Sequence, residues 1–256
     1  MYNKKLLQWG NILTFIATFI INYAATGLEL GGYNTGELSD LIPNLFVPIG
    51  LTFSIWGVIY FFLAGFSVYQ GRDLFKSEEI EMDYLNKIGY YFILSNIANS
   101  VWIFLWHYRL VPLSLIAMIV ILFSLLMIYL RLGIGKSQAP KKVKIWVHAP
   151  FSIYLGWITV ATIANVTATL VESGFDAFGF IPEFLTVFVI IVAVLITYGM
   201  LLLRKDWVYS LVVLWATLGI YLKQSTLNLT IATTALIAVI IVAVGIIYTG
   251  FKLLKK

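Results

Sequence analysis

Between residues 6 and 251 the chain is a succession of eight apolar runs, at 6–27, 46–70, 85–107, 110–131, 145–170, 180–203, 207–223 and 228–251, separated by short polar gaps. A hydrocarbon core about 30 Å thick takes roughly 20 helical residues to cross. Backbone that enters lipid must close its hydrogen bonds within a helix or a barrel. Runs of this length and number therefore predict an all-α integral membrane protein of eight spans. The seventh is the shortest, from Trp207 to Lys223, and crosses only if Arg204, Lys205 and Lys223 reach out to the surfaces. A soluble globule is excluded on composition, since 61% hydrophobic and 11% charged residues would leave a large apolar surface in water.

The gaps carry the orientation. Of seventeen Lys and Arg, fifteen fall in alternate gaps: Lys4, Lys5, Arg72, Lys76, Lys87, Arg131, Lys136, Lys141, Lys142, Lys144, Arg204, Lys205, Lys252, Lys255 and Lys256. Only Arg109 and Lys223 fall in the others. Basic loops stay in the cytoplasm, so both termini are expected there. The first run follows Lys4 and Lys5, but with 22 residues and no Ala-x-Ala cleavage site it reads as a retained helix rather than a signal peptide. A prokaryotic cytoplasmic membrane is the expected location. The net charge of +5 then reads as attraction to anionic lipid headgroups and not to nucleic acid. Having no cysteine, the chain has no disulfide, thiolate metal site or cysteine nucleophile.

The outer gap at 28–45 holds Glu29, Glu37, Asp40, three glycines and Pro43, and reads as an ordered cap or a mobile lid. Residues 71–83 read as a solvated cytoplasmic connector. After the fifth span comes an outer gap with Glu172, Asp176 and Pro182, and the three runs beyond it carry few polar groups. That drop in polarity divides the chain into a five-helix bundle at 1–171 with the lid at 28–45, and a three-helix appendage at 172–256.

No Asp, Glu, Lys or Arg lies near the middle of any span, which disfavours a pump, an ion channel or a proton-coupled carrier. The polar residues inside the spans are amides and hydroxyls, gathered with tryptophan on three helices. The second span has Trp56 and Tyr60; the third has Ser95, Asn99, Trp102 and Trp106; the fifth has Trp157, Ala161 and Asn165. Spacings of three and four put each set on one helical face. At 1.5 Å per residue, Trp56, Asn99 and Ala161 all come roughly 12–15 Å below the outer surface. A carboxamide facing lipid leaves its donors and acceptors unpaired, at a cost of about 2–7 kcal/mol, so these faces turn inward. Two readings stay open: a cavity for a flat apolar ligand with a few polar edges, or ordinary helix packing through small residues such as Gly57, Gly65, Ser152 and Gly156. His107 and His148 sit at opposite membrane surfaces and cannot share a metal ion. No nucleophile–base pair, paired carboxylates or phosphate-binding glycine loop is present, so neither catalytic nor metal-binding residues are assigned. Trp9, Trp146 and Trp207 fall where aromatic rings anchor at membrane surfaces.

Three of these stretches resemble the tryptophan-rich sensory protein family, also called TspO or translocator protein. The segment from Pro48 to Tyr60, with Trp56-Gly57-Val-Ile-Tyr60, is similar to that family's proline-containing entry and Trp-Gly-x-x-Tyr. Asn99-Ser-Val-Trp102 is similar to its Asn-x-x-Trp. Tyr154-Leu-Gly-Trp157-Ile-Thr-Val-Ala161-Thr162-Ile-Ala-Asn165 is similar to its Tyr-Leu-x-Trp-x-x-x-Ala-Thr-x-x-Asn. The resemblance covers about residues 6–171. It implies a five-helix bundle that forms homodimers and binds porphyrins or other apolar ligands beneath the first loop. By position, Trp56 and Trp157 match pocket tryptophans, Ala161 a small residue beside the ligand, Asn99 an amide of the third helix and Tyr60 an aromatic of the second. Asn96 lies one turn from Asn99, off the matching position. The family's Trp-x-Lys-Pro segment is missing, its paired prolines are reduced to Val47-Pro48, and Val166 stands where the sterol-associated motif has tyrosine. The Asn34–Asp40 lid and the three added helices are similar to a longer branch.

The leading expectation is thus a membrane receptor or carrier for a flat hydrophobic molecule such as a porphyrin or haem, with no required cofactor. Its ligand-binding residues are Trp56, Tyr60, Asn96, Asn99, Trp102, Trp157, Ala161 and Asn165. The competing expectations are an enzyme that photo-oxidises a porphyrin and a membrane assembly subunit without a ligand.

Overall fold

The computed structural model describes residues 2–175 and 181–254. Asp176, Lys255 and Lys256, used above for topology, lie outside them. Among the described residues the chain is helical and has no strand: α1 Lys4–Gly27, α2 Thr35–Asp40, α3 Ile55–Gln70, α4 Asp83–Ile88, α5 Tyr91–His107, α6 Val111–Leu132, α7 Lys141–Glu172, α8 Pro182–Arg204, α9 Trp207–Gln224 and α10 Leu229–Leu254. Helix α7 contains a π turn at Lys144–His148, and α8 ends in another at Met200–Arg204.

Six of these helices are long and apolar enough to cross a membrane: α1, α3 with the 3₁₀ turn Gly50–Ser54 before it, α6, α7, α8 and α10. The sequence led us to expect eight, and the two short of that measure have local causes. The third run breaks at Gly89, whose φ of 55° ends α4 and leaves α5 with 17 residues. Helix α9 has 18 residues, among them Ser210, Thr217, Lys223 and Gln224, which dilute its apolar content.

The chain forms two compact units. The first joins Met1–Thr35 to Trp56–Leu155. Helix α1 starts where the Asn3 side chain accepts the Leu6 N–H at 3.1 Å. It buries Leu7 and then Gln8, Asn11, Phe15, Thr18, Asn22 and Ala25 at spacings of three and four, while Leu13, Ile16 and Ile20 face outward. The core of this unit holds three fully buried rings, Phe66, Phe92 and Phe151, each edge-on to the other two at 5.1–5.4 Å. Trp9 stays exposed, as a surface anchor should, whereas Trp146 is half-buried and contacts the Phe62 ring at 6.4 Å.

The second unit joins Gly36–Ile55 to Gly156–Lys256. Helix α9 is its hub. Ile49 N–H donates to Gly219 O at 3.2 Å, Trp215 Nε1 to Thr52 O at 3.0 Å, and Gln224 Nε2 to Leu45 O at 3.1 Å. A Cβ on Gly219 would lie 2.0 Å from Thr52 Oγ1, so only glycine admits the 3₁₀ turn this closely. Lys223 pairs with Asp40 at 2.5 Å. Asn44 Nδ2 donates to Thr167 Oγ1 of α7 at 2.7 Å.

At the N-terminal end of α1, Asp73 is almost fully buried, ion-paired with Lys4, and accepts from Gln8 Nε2 at 2.7 Å and Ile80 N–H at 2.8 Å. Burial alone would raise its carboxyl, but the Lys4 ammonium and these amides outweigh it and hold the pKa at about 2, against an ordinary 3.8. A depressed carboxylate lends stability above its unfolded pKa and loses it as pH falls through the folded one. We therefore expect Asp73→Asn to be less stable than wild type by roughly 2 kcal/mol at pH 7. The gap should close as pH falls from about 4 to about 2, as read by denaturant unfolding in detergent.

Candidate functional site

On α5 the residues Ser95, Asn96, Asn99, Trp102, Trp106 and His107 are all buried, so the face read from the sequence does turn inward. Its amides meet α1. Asn22 Nδ2 donates to Asn99 Oδ1 at 2.8 Å and Asn99 Nδ2 donates to the Tyr154 hydroxyl at 2.8 Å, so one amide links three helices. One turn on, Thr18 Oγ1 donates to Asn96 O at 2.9 Å and lies 3.0 Å from Ser100 Oγ. Asn96 Nδ2 donates to Thr14 Oγ1 at 3.1 Å. This seam also borders an open groove of about 200 Å³ with Ala17, Ile97, Val101 and Phe104 among its lining.

Tyr154 carries the seam to an aromatic group. Its ring is met edge-on by Trp56 at 5.9 Å, Trp56 stacks on Tyr60 at 5.5 Å with 24° between planes, and Phe19 of α1 meets Tyr60 edge-on at 5.3 Å. Tyr154 is buried, while Trp56 and Tyr60 are only half-buried. The first unit thus brings Trp56, Tyr60 and Asn99 into one connected set, with Asn96 tied to the same seam. Trp102 stacks on Trp106 at 5.8 Å toward the C-terminal end of α5.

Trp157, Ala161 and Asn165 belong to the second unit. Trp157 is buried and receives the Phe53 ring edge-on at 5.8 Å. Asn165 is buried and Ala161 half-buried.

Six residues at these sites were not singled out from the sequence: Thr14, Thr18, Phe19 and Asn22 on α1, Ser100 on α5, and Phe53 before α3. Asn11, Thr18 and Asn22 recur at seven and four residues within an otherwise apolar run, and that pattern was the available signal. Phe53 gave none. Its position depends on the 3₁₀ turn, which residue spacing does not announce. Among the described residues no group of His, Asp or Glu is placed to hold a metal ion.

The family described as TSPO-like protein matches residues 8–248, and the chain belongs to it. No curated protein and no solved structure matches the chain. Family membership and the six apolar helices together make it an integral membrane protein of the TspO type.

Asn99→Leu removes both amide bonds and leaves the buried Tyr154 hydroxyl without the donor it faces. It should cost about 1–3 kcal/mol of stability in detergent. Tyr154→Phe, which loses only the second bond, should cost about 0.5–1.5 kcal/mol.

Proposed function

We propose that the chain is a membrane receptor or carrier that holds a flat, largely apolar ligand of porphyrin type against the Trp56–Tyr60 pair. The observation that carries this reading is that pair itself. Two stacked rings in a membrane-length helix, each only half-buried, present aromatic surface that packing has left partly uncovered. A tetrapyrrole is a large planar π system, which is what such a surface takes up by offset stacking. Tyr154 and Phe19 brace the pair edge-on, so little ordering is left to do when a ligand arrives.

Asn99 acts chiefly by placing Tyr154. It keeps one further N–H and one further lone pair for a polar edge. Asn96 fixes α5 against α1, and Trp102 extends the aromatic surface along α5. For the second unit by itself we propose, on the motif match alone, a stacking ring at Trp157, a small contact at Ala161 and a polar contact at Asn165. The residues 1–171 form the ligand-handling part, and 172–256 the addition to it.

We further propose eight spans with both termini in the cytoplasm of a prokaryote. The alternation of basic gaps supports this, and α5 and α9 cross as the two short spans. The ligand-handling parts of two chains pair as a homodimer, in line with the family resemblance.

Titration of the detergent-solubilised protein with protoporphyrin, read by quenching of tryptophan fluorescence and by the porphyrin absorption band, tests the site. Trp56→Ala should weaken binding roughly two- to tenfold, as loss of one ring contact implies. Binding as tight as wild type in the double variant Trp56→Ala, Trp157→Ala would remove the proposal.

A further inference from the structure

The stretch from Leu28 to Thr35 leaves α1 and has almost nothing apolar to hold it. Leu28, Glu29, Gly31 and Gly32 are exposed, Leu30, Tyr33 and Asn34 half-buried, and only Thr35 is buried. A segment that buries so little owes its order to specific polar contacts. They converge on the C-terminal end of α5. His107, itself 3% exposed, brings Nδ1 to 2.7 Å from Leu30 O and Nε2 to 3.2 Å from Thr35 Oγ1. A carbonyl only accepts, so Nδ1 carries the hydrogen. In the neutral ring, Nε2 then accepts from the Thr35 hydroxyl. Trp106 Nε1 points to Thr35 O at 3.5 Å, and the Arg109 guanidinium lies 5.5 Å from the centre of the Tyr33 ring. Thr35 Oγ1 is also 3.3 Å from Thr26 Oγ1 of α1.

A second, independent feature points the same way. Gly31 has φ +77°, and a Cβ there would lie 3.0 Å from His107 O. The chain therefore approaches the backbone of the same residue whose ring grips it on both nitrogens. Neither contact serves the amide seam described above, and a buried histidine at this position is otherwise unexplained.

We propose that His107 is the latch of the 28–35 part of the lid, closing it onto the end of α5 and setting how often it opens. As a positioning residue it touches no ligand. Opening of the segment breaks the Leu30 and Thr35 bonds together, because one ring holds both. The latch is a property of the lid itself. Only its consequence, control over how fast a ligand enters and leaves, rests on the ligand-site reading.

Hydrogen–deuterium exchange of the full chain in detergent tests it with His107→Phe, His107→Asn and Thr35→Val. Phe keeps the ring shape without either bond, Asn keeps a donor in reach of Leu30 O, and Val removes the hydroxyl from the lid side. Peptides covering 28–35, which include the Gly32 N–H bonded to Glu29 O, should exchange roughly tenfold faster in His107→Phe, with α5 and α6 unchanged. Asn should fall between Phe and wild type, and Thr35→Val should rise several-fold. Unchanged exchange at 28–35 in both His107→Phe and Thr35→Val overturns the latch. Thr35→Val alone decides it if the Phe variant does not fold. Protoporphyrin association and dissociation rates should then rise together with little change in Kd. Faster lid exchange with unchanged ligand rates overturns the gating role. Faster lid exchange in a protein that binds no porphyrin at all leaves the latch standing and overturns the ligand reading instead.

Discussion

A polar side chain inside a membrane span has no water to turn to; a hydroxyl can bond back to its own helix, but a carboxamide has more donors and acceptors than its own turn satisfies and needs a partner on another helix. The seam between α1 and α5 is where this chain meets that requirement. Thr14, Thr18 and Asn22 on one helix and Asn96, Asn99 and Ser100 on the other are joined by hydrogen bonds of 2.8–3.1 Å. Nearer the N-terminus of α1 the same face turns to other partners, with Gln8 and Asn11 bonded to Gln70 and Asp73. Each bond is worth little alone, about 0.6 kcal/mol on average in a membrane protein. Their value lies in register, since sliding or rotating α1 by one residue would strand several amides at once in an apolar surrounding.

The aromatic pair depends on that register. Asn99 fixes the Tyr154 hydroxyl, Tyr154 fixes the edge against which Trp56 leans, and Trp56 carries Tyr60. Polar bonding thus helps to position the aromatic rings. The same logic recurs at the end of α5, where one imidazole with two nitrogens replaces the apolar burial that residues 28–35 lack. In the second unit a different device is at work. There a glycine on α9 and the backbone bonds around it admit the 3₁₀ turn before α3.

Much of this was legible because the signals are strong ones. Long apolar runs announce helices, and the faces of Ser95, Asn99, Trp102 and Trp106 could be read from spacings of three and four. What escaped the sequence has physical causes. Gly89 cuts the third run through its backbone angle, which the residue pattern around it does not announce. The sequence analysis did not single out Asn22, whose meaning depends on Asn99, 77 positions away. The role of α9 rests on Gly219, which has no side chain to advertise a contact. Of the residues assigned to the ligand, the structure connects Trp56, Tyr60, Asn96 and Asn99 within one unit and describes Trp157, Ala161 and Asn165 within the other.

The register of the seam can be trapped covalently, because the natural chain has no cysteine to compete. Thr18 Oγ1 and Ser100 Oγ are 3.0 Å apart, so sulfurs in their place need only a small shift to reach a disulfide bond length of about 2.05 Å. In the double variant Thr18→Cys, Ser100→Cys, mild oxidation in the membrane should close an intramolecular disulfide nearly completely, seen as loss of free thiol by mass spectrometry. A control pair displaced by two residues onto the outward face of α1, Ile16→Cys with Ser100→Cys, should stay reduced. Two free thiols in the Thr18, Ser100 pair, or equal crosslinking in both pairs, would contradict the seam and with it the placement of every ring that hangs from it.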